Sequence, residues 1–217
     1  MANQKIHEYV NTATTIGAND YYDVDKFDGV NYNTSKISGA SLMAALKCGI
    51  YSQTKESNDQ TGTNYQSLLS GTGVGSLSVP ANGFAVGDTF QADLCGVLSS
   101  VNNEVIYNQI LGGPTSNIDL LTCSTTLKTT TDGIFIIKLK FVIRAIGAAG
   151  VASIATYGEF IYDDNTSPKS EIFTYYNLNN TTFDTTTENV LDIQVKFGSA
   201  DGSNKSRSEL FTIHKVY

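Results

Sequence analysis

The sequence predicts an all-β protein: an antiparallel β-sandwich, jelly-roll-like, over residues 74–217, preceded by a small N-terminal arm with a short helix. Apolar and polar residues alternate along several segments after residue 74, as in half-buried strands. Turn residues separate these segments, and none has a helical pattern long enough to join parallel strands. β-Branched, aromatic and turn-forming residues are abundant, which also favours short strands joined by tight loops.

The N-terminal segment is built differently from the rest of the chain. Residues 1–20 are polar with weak alternation, which predicts an extended arm, and residues 21–37 place aromatic and acidic side chains in a mostly non-helical pattern. Leu42, Met43 and Leu46 then fall on one face at helical spacing, so a short helix is predicted there. A helix of about ten residues is not stable alone in water, and its apolar face therefore needs a partner surface.

Residues 51–73 are predicted to be a linker. Most of this stretch is polar, and Tyr65 is the only large side chain between residues 52 and 66. Such a composition is typical of a flexible connection. The predicted organisation is therefore an N-terminal segment over residues 1–50, the linker, and a β domain over residues 74–217.

The strongest strand signal is the sequence GIFIIKLKFVIRAIG at residues 133–147. Lys138, Lys140 and Arg144 occupy alternate positions, as expected of the solvent-facing side of a half-buried antiparallel strand. The large apolar side chains of the opposite face are Phe135, Ile137, Leu139, Phe141 and Ile143.

Weaker signals of the same kind place further strands on both sides of this one. One short strand stops at Pro80, the next places Phe90 and Leu94 on one face, and two more surround Gly112. Downstream, the Thr- and Asn-rich residues 163–189 form a predicted loop region between alternating segments. About eight strands joined by turns indicate a sandwich, with the jelly roll preferred and other sandwich topologies open.

The predicted solvent-facing side of the strongest strand carries more apolar residues than a solvated face needs. Ile134, Ile136 and Val142 lie there among the basic residues. Either they form a second buried face at a subunit interface, or a covering loop buries them.

The composition argues against several partner classes. The net charge is −7 and basic residues are not clustered, so neither a nucleic-acid footprint nor a polybasic membrane patch is present. No apolar run approaches the ~18 residues of a membrane span. Cys48, Cys95 and Cys123 include no close pair, which indicates buried thiols in a reducing cytosol rather than disulfides or a zinc site.

No catalytic or metal-binding motif is visible, so we expect neither an enzyme nor a cofactor. The sequence contains no nucleophile elbow and no phosphate-binding glycine loop. Asp23, Asp25 and Asp28 miss the spacing of a calcium loop. His7 and His214 are the only histidines, and the spacing gives neither a helper ligand for a metal.

One stretch of the predicted loop region is a candidate receptor-binding site. Tyr175, Tyr176 and Asn177 combine aromatic rings with an amide, and such residues suit sugar recognition in an exposed loop. Ordinary loop packing is the simpler explanation of the same residues.

Two stretches resemble structural proteins of tailed bacteriophages. The first is DVDKFDGVNYNTSKISGASLMAAL at residues 23–46, and the second is LSVPANGFAVGDTFQADLCGVLSSVNNE at residues 77–104. Among these proteins the chain is most similar to the head fibres of crAss-like phages, and the pattern of tail fibres is similar. The resemblance implies a homotrimeric virion fibre or decoration protein with a distal jelly-roll head, and it implies no catalytic residues.

The resemblance gives residues 1–50 the role of a docking segment. This segment would become ordered against the major capsid protein or another virion protein, after assembly in the host cytoplasm, and would leave the β head exposed on the virion surface. The alternative is a tail-fibre or carbohydrate-binding head that recognises a host-surface glycan, and a glycan-active β-sandwich enzyme is least favoured. The expected docking side chains are Tyr21, Tyr22, Val24, Phe27, Tyr32, Leu42, Met43 and Leu46.

Overall fold

The protein divides into two units. They comprise residues 1–48 and residues 49–217, so the division lies close to the predicted end of the N-terminal segment. The residues described by the computed structural model are 21–27, 32–38, 49–113, 118–164 and 170–216.

The described part of the first unit is a β-hairpin. Strand β1 (Tyr21–Phe27) pairs with strand β2 (Tyr32–Ser38) in antiparallel register. Sequence analysis placed no strands here, because acidic residues interrupt the aromatic ones. The predicted docking residues on this hairpin are Tyr21, Tyr22, Val24, Phe27 and Tyr32. The predicted helix with Leu42, Met43 and Leu46 lies outside the described residues.

The second unit is an all-β antiparallel sandwich, which confirms the predicted fold class. No helix occurs among the described residues. The large sheet has seven strands, in the spatial order β12 (Ser170–Asn180), β11 (Ser153–Asp163), β10 (Thr130–Ala145), β7 (Thr89–Ser100), β15 (Lys205–Lys215), β3 (Gly49–Gln53) and β5 (Gly73–Gly75). The small sheet has four, in the order β4 (Gln66–Ser67), β14 (Asp192–Phe197), β8 (Glu104–Gly112) and β9 (Ile118–Leu127). The short strands β6 (Ser78–Val79) and β13 (Asn189–Val190) pair separately.

The chain passes back and forth between the two sheets. It leaves the large sheet after β7, forms the β8–β9 hairpin in the small sheet, and returns in β10 beside β7. Strand β14 again belongs to the small sheet, and β15 returns to the other side of β7. These crossings are the feature shared with jelly rolls, while the β10–β11–β12 meander widens the large sheet.

The core lies between the inner faces of the two sheets. The strand signal at residues 133–147 is confirmed, because β10 spans most of it and its predicted apolar face is buried throughout. Ile193, Val195 and Phe197 of β14 are buried from the small-sheet side. The period-two pattern thus identified the inward faces of both sheets correctly.

The interpretation of residues 51–73 as a linker needs correction. Strand β3 pairs with β15 in the large sheet, and β4 pairs with β14 in the small sheet. Tyr51 and Leu68 are buried in the core. A few large side chains in a polar stretch, together with strand pairing over a long sequence separation, hold this segment in the sandwich.

The predicted loop over residues 163–189 also needs correction, because it contains β12. This strand pairs with β11 along its length and forms one edge of the large sheet. Its side chains alternate between exposed and half-buried rather than between exposed and fully buried. The apolar signal of an edge strand is therefore weak, and the many Thr and Asn residues conceal it.

Candidate interaction surface

The outer face of the large sheet carries the residues predicted as a candidate oligomer interface. Ile134, Ile136 and Val142 occupy β10 positions that alternate with its buried residues, so they lie on the side away from the core. Ile134 is 59% exposed. Within the described parts of the chain, no loop therefore covers Ile134.

Strand register places apolar side chains of five neighbouring strands side by side on this face. Ile161 of β11 is opposite both Ile172 of β12 and Ile136 of β10. Ile136 is opposite Cys95 of β7, and Cys95 is opposite Leu210 of β15. We call these residues the apolar row. Its two ends are the most open, since Ile172 is 62% and Leu210 is 50% exposed.

Sequence reasoning found Ile136 but missed the other members of the apolar row. Ile161, Ile172 and Leu210 belong to three other strands, and only the pairing register brings them to one level. A β-bulge between Ser208 and Leu210 adds to the difficulty, because it makes two consecutive β15 residues face outward. The only sequence signal for the apolar row was one apolar residue at an outward position of each strand.

On the Lys138 side of the apolar row, the next two rows of residues are polar and carry both signs of charge, whereas the row on the other side contains Ile134 and Val97. One position along the sheet face, Lys138 lies between Glu159 of β11 and Asp93 of β7. One position further, the exposed Tyr157 is opposite Tyr176 on one side and Lys140 on the other. On that side the face therefore combines apolar residues with a polar margin, as is usual in a protein–protein interface.

The outer face of the small sheet has a different character. Its half-buried outward positions carry Tyr107 and Gln109 on β8 and Gln194 and Lys196 on β14. The Lys196 ammonium lies 4.5 Å from the ring centroid of Tyr65 and 4.9 Å from that of Tyr107, so it forms cation–π contacts with both rings. Exposed apolar side chains thus concentrate on the large sheet.

The three residues predicted as a receptor-binding loop lie in strand β12 and do not come together. The Tyr175 hydroxyl donates to the Ser124 carbonyl at 3.1 Å, and the Asn177 amide donates to the Leu120 carbonyl at 3.4 Å, so both face β9. Burial raises the pKa of the Tyr175 phenol to about 12. Tyr176 faces outward and is 68% exposed.

An ion cluster lies near the start of β12. The Lys128 ammonium lies 3.1 Å from a carboxylate oxygen of the buried Asp164 and also contacts Glu171. Hydrogen bonds to Glu171 and Asp164 raise the pKa of Lys128. The Tyr162 hydroxyl donates to Glu171 at 3.2 Å and accepts from the Lys128 amide at 3.1 Å. These groups satisfy one another, which fits a structural cluster rather than a catalytic one.

The two described cysteines differ in environment. Cys123 is buried, and desolvation raises the pKa of its thiol to about 12, whereas Cys95 is half-buried in the apolar row. No group of three or more His, Cys, Asp or Glu side chains in the described ranges is placed to hold a metal ion. Cys123 is therefore an inert thiol, and Cys95 is the accessible one of the two.

Over the described ranges, the chain contains no helix of the length and apolarity that a membrane crossing requires. No protein-family model matches the chain, and neither a curated protein nor a solved structure matches it.

Proposed function

We propose that this protein is a structural component of a tailed-phage virion, a fibre or decoration protein on the virion surface. The observation that carries the proposal is the division of the chain: both sheets of the sandwich are built from strands between Gly49 and Lys215. Because neither sheet of this head takes a strand from the described part of residues 1–48, those residues are available for another task. The resemblance of residues 23–46 and 77–104 to phage structural proteins supports attachment as that task.

In this proposal the N-terminal unit docks on the major capsid protein or another virion protein, with attachment to the phage head favoured over the tail. The proposed fibre is a homotrimer, since three attachments acting together gain avidity of about 10²–10⁴ when their geometry fits. The protein performs no catalysis in this role and needs no cofactor. It is assembled in the host cytoplasm and remains on the finished particle.

The test is a truncation that removes residues 1–48. We expect residues 49–217 to be soluble and to unfold cooperatively, because every strand of the large and small sheets is retained. Particles assembled in a host that supplies only this fragment should lack it, whereas the full-length chain should be incorporated. Gel analysis of purified particles measures both. Incorporation of the fragment, or its failure to fold, would contradict the proposal.

A carbohydrate-binding head is the second candidate function, and one pair of residues favours it. Tyr157 and Tyr176 lie directly opposite each other on β11 and β12, and both are exposed. The Tyr157 hydroxyl donates to Glu159 at 2.6 Å, which places a carboxylate beside the rings. Exposed aromatic rings next to polar groups can stack on sugar faces while the polar groups bind hydroxyls.

Under this alternative, we expect the full-length protein to bind members of a glycan array, and Tyr176→Ala to lose that binding. The matched control is Tyr107→Ala on the outer face of the small sheet, which should bind as the wild type does. Circular dichroism checks that both variants are folded. A silent array, or equal loss in both variants, would contradict a glycan site at this pair.

A further inference from the structure

We propose that copies of this chain associate through the outer face of the large sheet, with the apolar row at the centre of the contact. The occupant of this face is a second copy of the same chain. The geometry of the face supports the contact itself. Only the number of copies, three, rests on the proposed function.

The first argument is the placement of exposed apolar groups. The apolar row crosses five neighbouring strands in register, from Ile172 to Leu210, and Ile134 lies beside it on β10. A contiguous apolar patch rimmed by polar residues marks an interaction site, whereas isolated exposed apolar residues are ordinary. The small sheet carries only Val105 as an aliphatic side chain at the outward positions of β8 and β14, which shows that the fold itself does not require such a row.

The second argument is the size of the face. Strands β12, β11, β10, β7 and β15 each contain 11 or more residues. With neighbouring strands about 4.8 Å apart and a rise of about 3.3 Å per residue, the face covers roughly 850 Å². A stable interface needs about 800 Å² from each partner. The face therefore matches the contribution of one subunit to a standard interface.

The third argument is charge, which selects a second copy over a strongly charged partner. The chain has a net charge of −7, yet Lys138 lies between Glu159 and Asp93 in the row next to the apolar row. Residues of both signs on one face can pair with the same residues of another copy, because each copy supplies both partners. A highly basic or acidic partner would meet like charges here.

The experiment measures the mass of the purified full-length protein by light scattering. We expect a multiple of the 23.3 kDa chain mass. The double variant Ile172→Lys/Leu210→Lys places like charges at both open ends of the apolar row, and we expect it to fall to the mass of one chain. The control Gln109→Lys/Thr126→Lys adds the same charge to the outer face of the small sheet and should keep the wild-type mass.

A thiol label gives a second measurement at the middle of the contact. In a Cys48→Ser background, Cys95 is the thiol expected to react, because Cys123 is buried. We expect Cys95 to be protected in the associated protein and in the control, and to lose protection in Ile172→Lys/Leu210→Lys. Circular dichroism checks that the variants remain folded, as expected for changes at exposed positions.

The outcomes separate this inference from the proposed function. A wild-type protein with the mass of one chain overturns the contact. Association that persists in Ile172→Lys/Leu210→Lys, with Cys95 reactive in every variant, overturns it as well. A mass of two chains, lost in the double variant, supports the contact and overturns the homotrimer. A mass of three chains, lost in the double variant, supports both. Incorporation into virions is measured on particles, so its failure leaves the mass result standing.

Discussion

Replacing Leu68 by Ala is expected to lower the free energy of unfolding by about 2–5 kcal/mol, the usual cost of such a truncation in a core. Leu68 is 0% exposed and belongs to the main apolar cluster. Its amide donates to the Ile193 carbonyl at 2.8 Å, and its carbonyl accepts from the Ser208 hydroxyl. Because neighbouring strands fix the backbone on both sides, the site cannot collapse easily around the smaller side chain. We therefore expect a cost in the upper half of this range.

Urea unfolding measures this loss, at one protein concentration throughout, because association would otherwise shift the midpoint. The matched control is Val74→Ala, close to Leu68 in the chain but exposed. It should change the free energy of unfolding by no more than about 0.5 kcal/mol. Equally small losses for both variants would show that Leu68 contributes nothing to the core, and would restore the linker interpretation of residues 51–73.

The misjudged linker shows what local composition cannot reveal. Gln53 donates to the Ser208 hydroxyl at 3.0 Å, and the Ser208 amide donates to the Ser57 hydroxyl at 2.9 Å. These polar side chains are buried and paired with a strand some 150 positions away. A polar stretch that satisfies its hydrogen bonds at such a distance looks like a solvated linker in the sequence. Only the tertiary pairing distinguishes the two.

The parts of the fold that the sequence predicted are those with a local signal. The alternation along β10 is a property of consecutive residues, so its length and its inward face followed directly. The candidate surface was predicted only where it lies on that strand, at Ile134, Ile136 and Val142. Its extension to Ile172 and Leu210 depends on strand order and register, which arise from contacts between distant segments.

Replacing Gly96 by Ala is expected to destabilise the sandwich by about 3 kcal/mol or more, at the upper end for overpacking. A Cβ atom at this position would lie 2.1 Å from the Arg207 carbonyl oxygen and 2.5 Å from the Phe135 ring. The first is backbone of the neighbouring strand β15, and the second is a buried core ring. Neither can move far without breaking strand pairing or opening the core. Urea unfolding measures the loss, and Gly202→Ala, with no atom within 4 Å of its added Cβ, is the control expected to be neutral.

A double-mutant cycle with Phe135→Leu separates the two causes. The smaller side chain relieves the contact with the ring but leaves the Arg207 carbonyl in place, so Gly96→Ala should cost less in this background and still be costly. A cost that vanishes there would contradict the role assigned to the carbonyl. The bulge between Ser208 and Leu210 begins opposite Gly96, and it is this bulge that brings Leu210 outward beside Cys95. Because the close approach of β15 to Gly96 fixes the strand at that point, Gly96→Ala should disturb the apolar row as well as the core, and should weaken association along with folding.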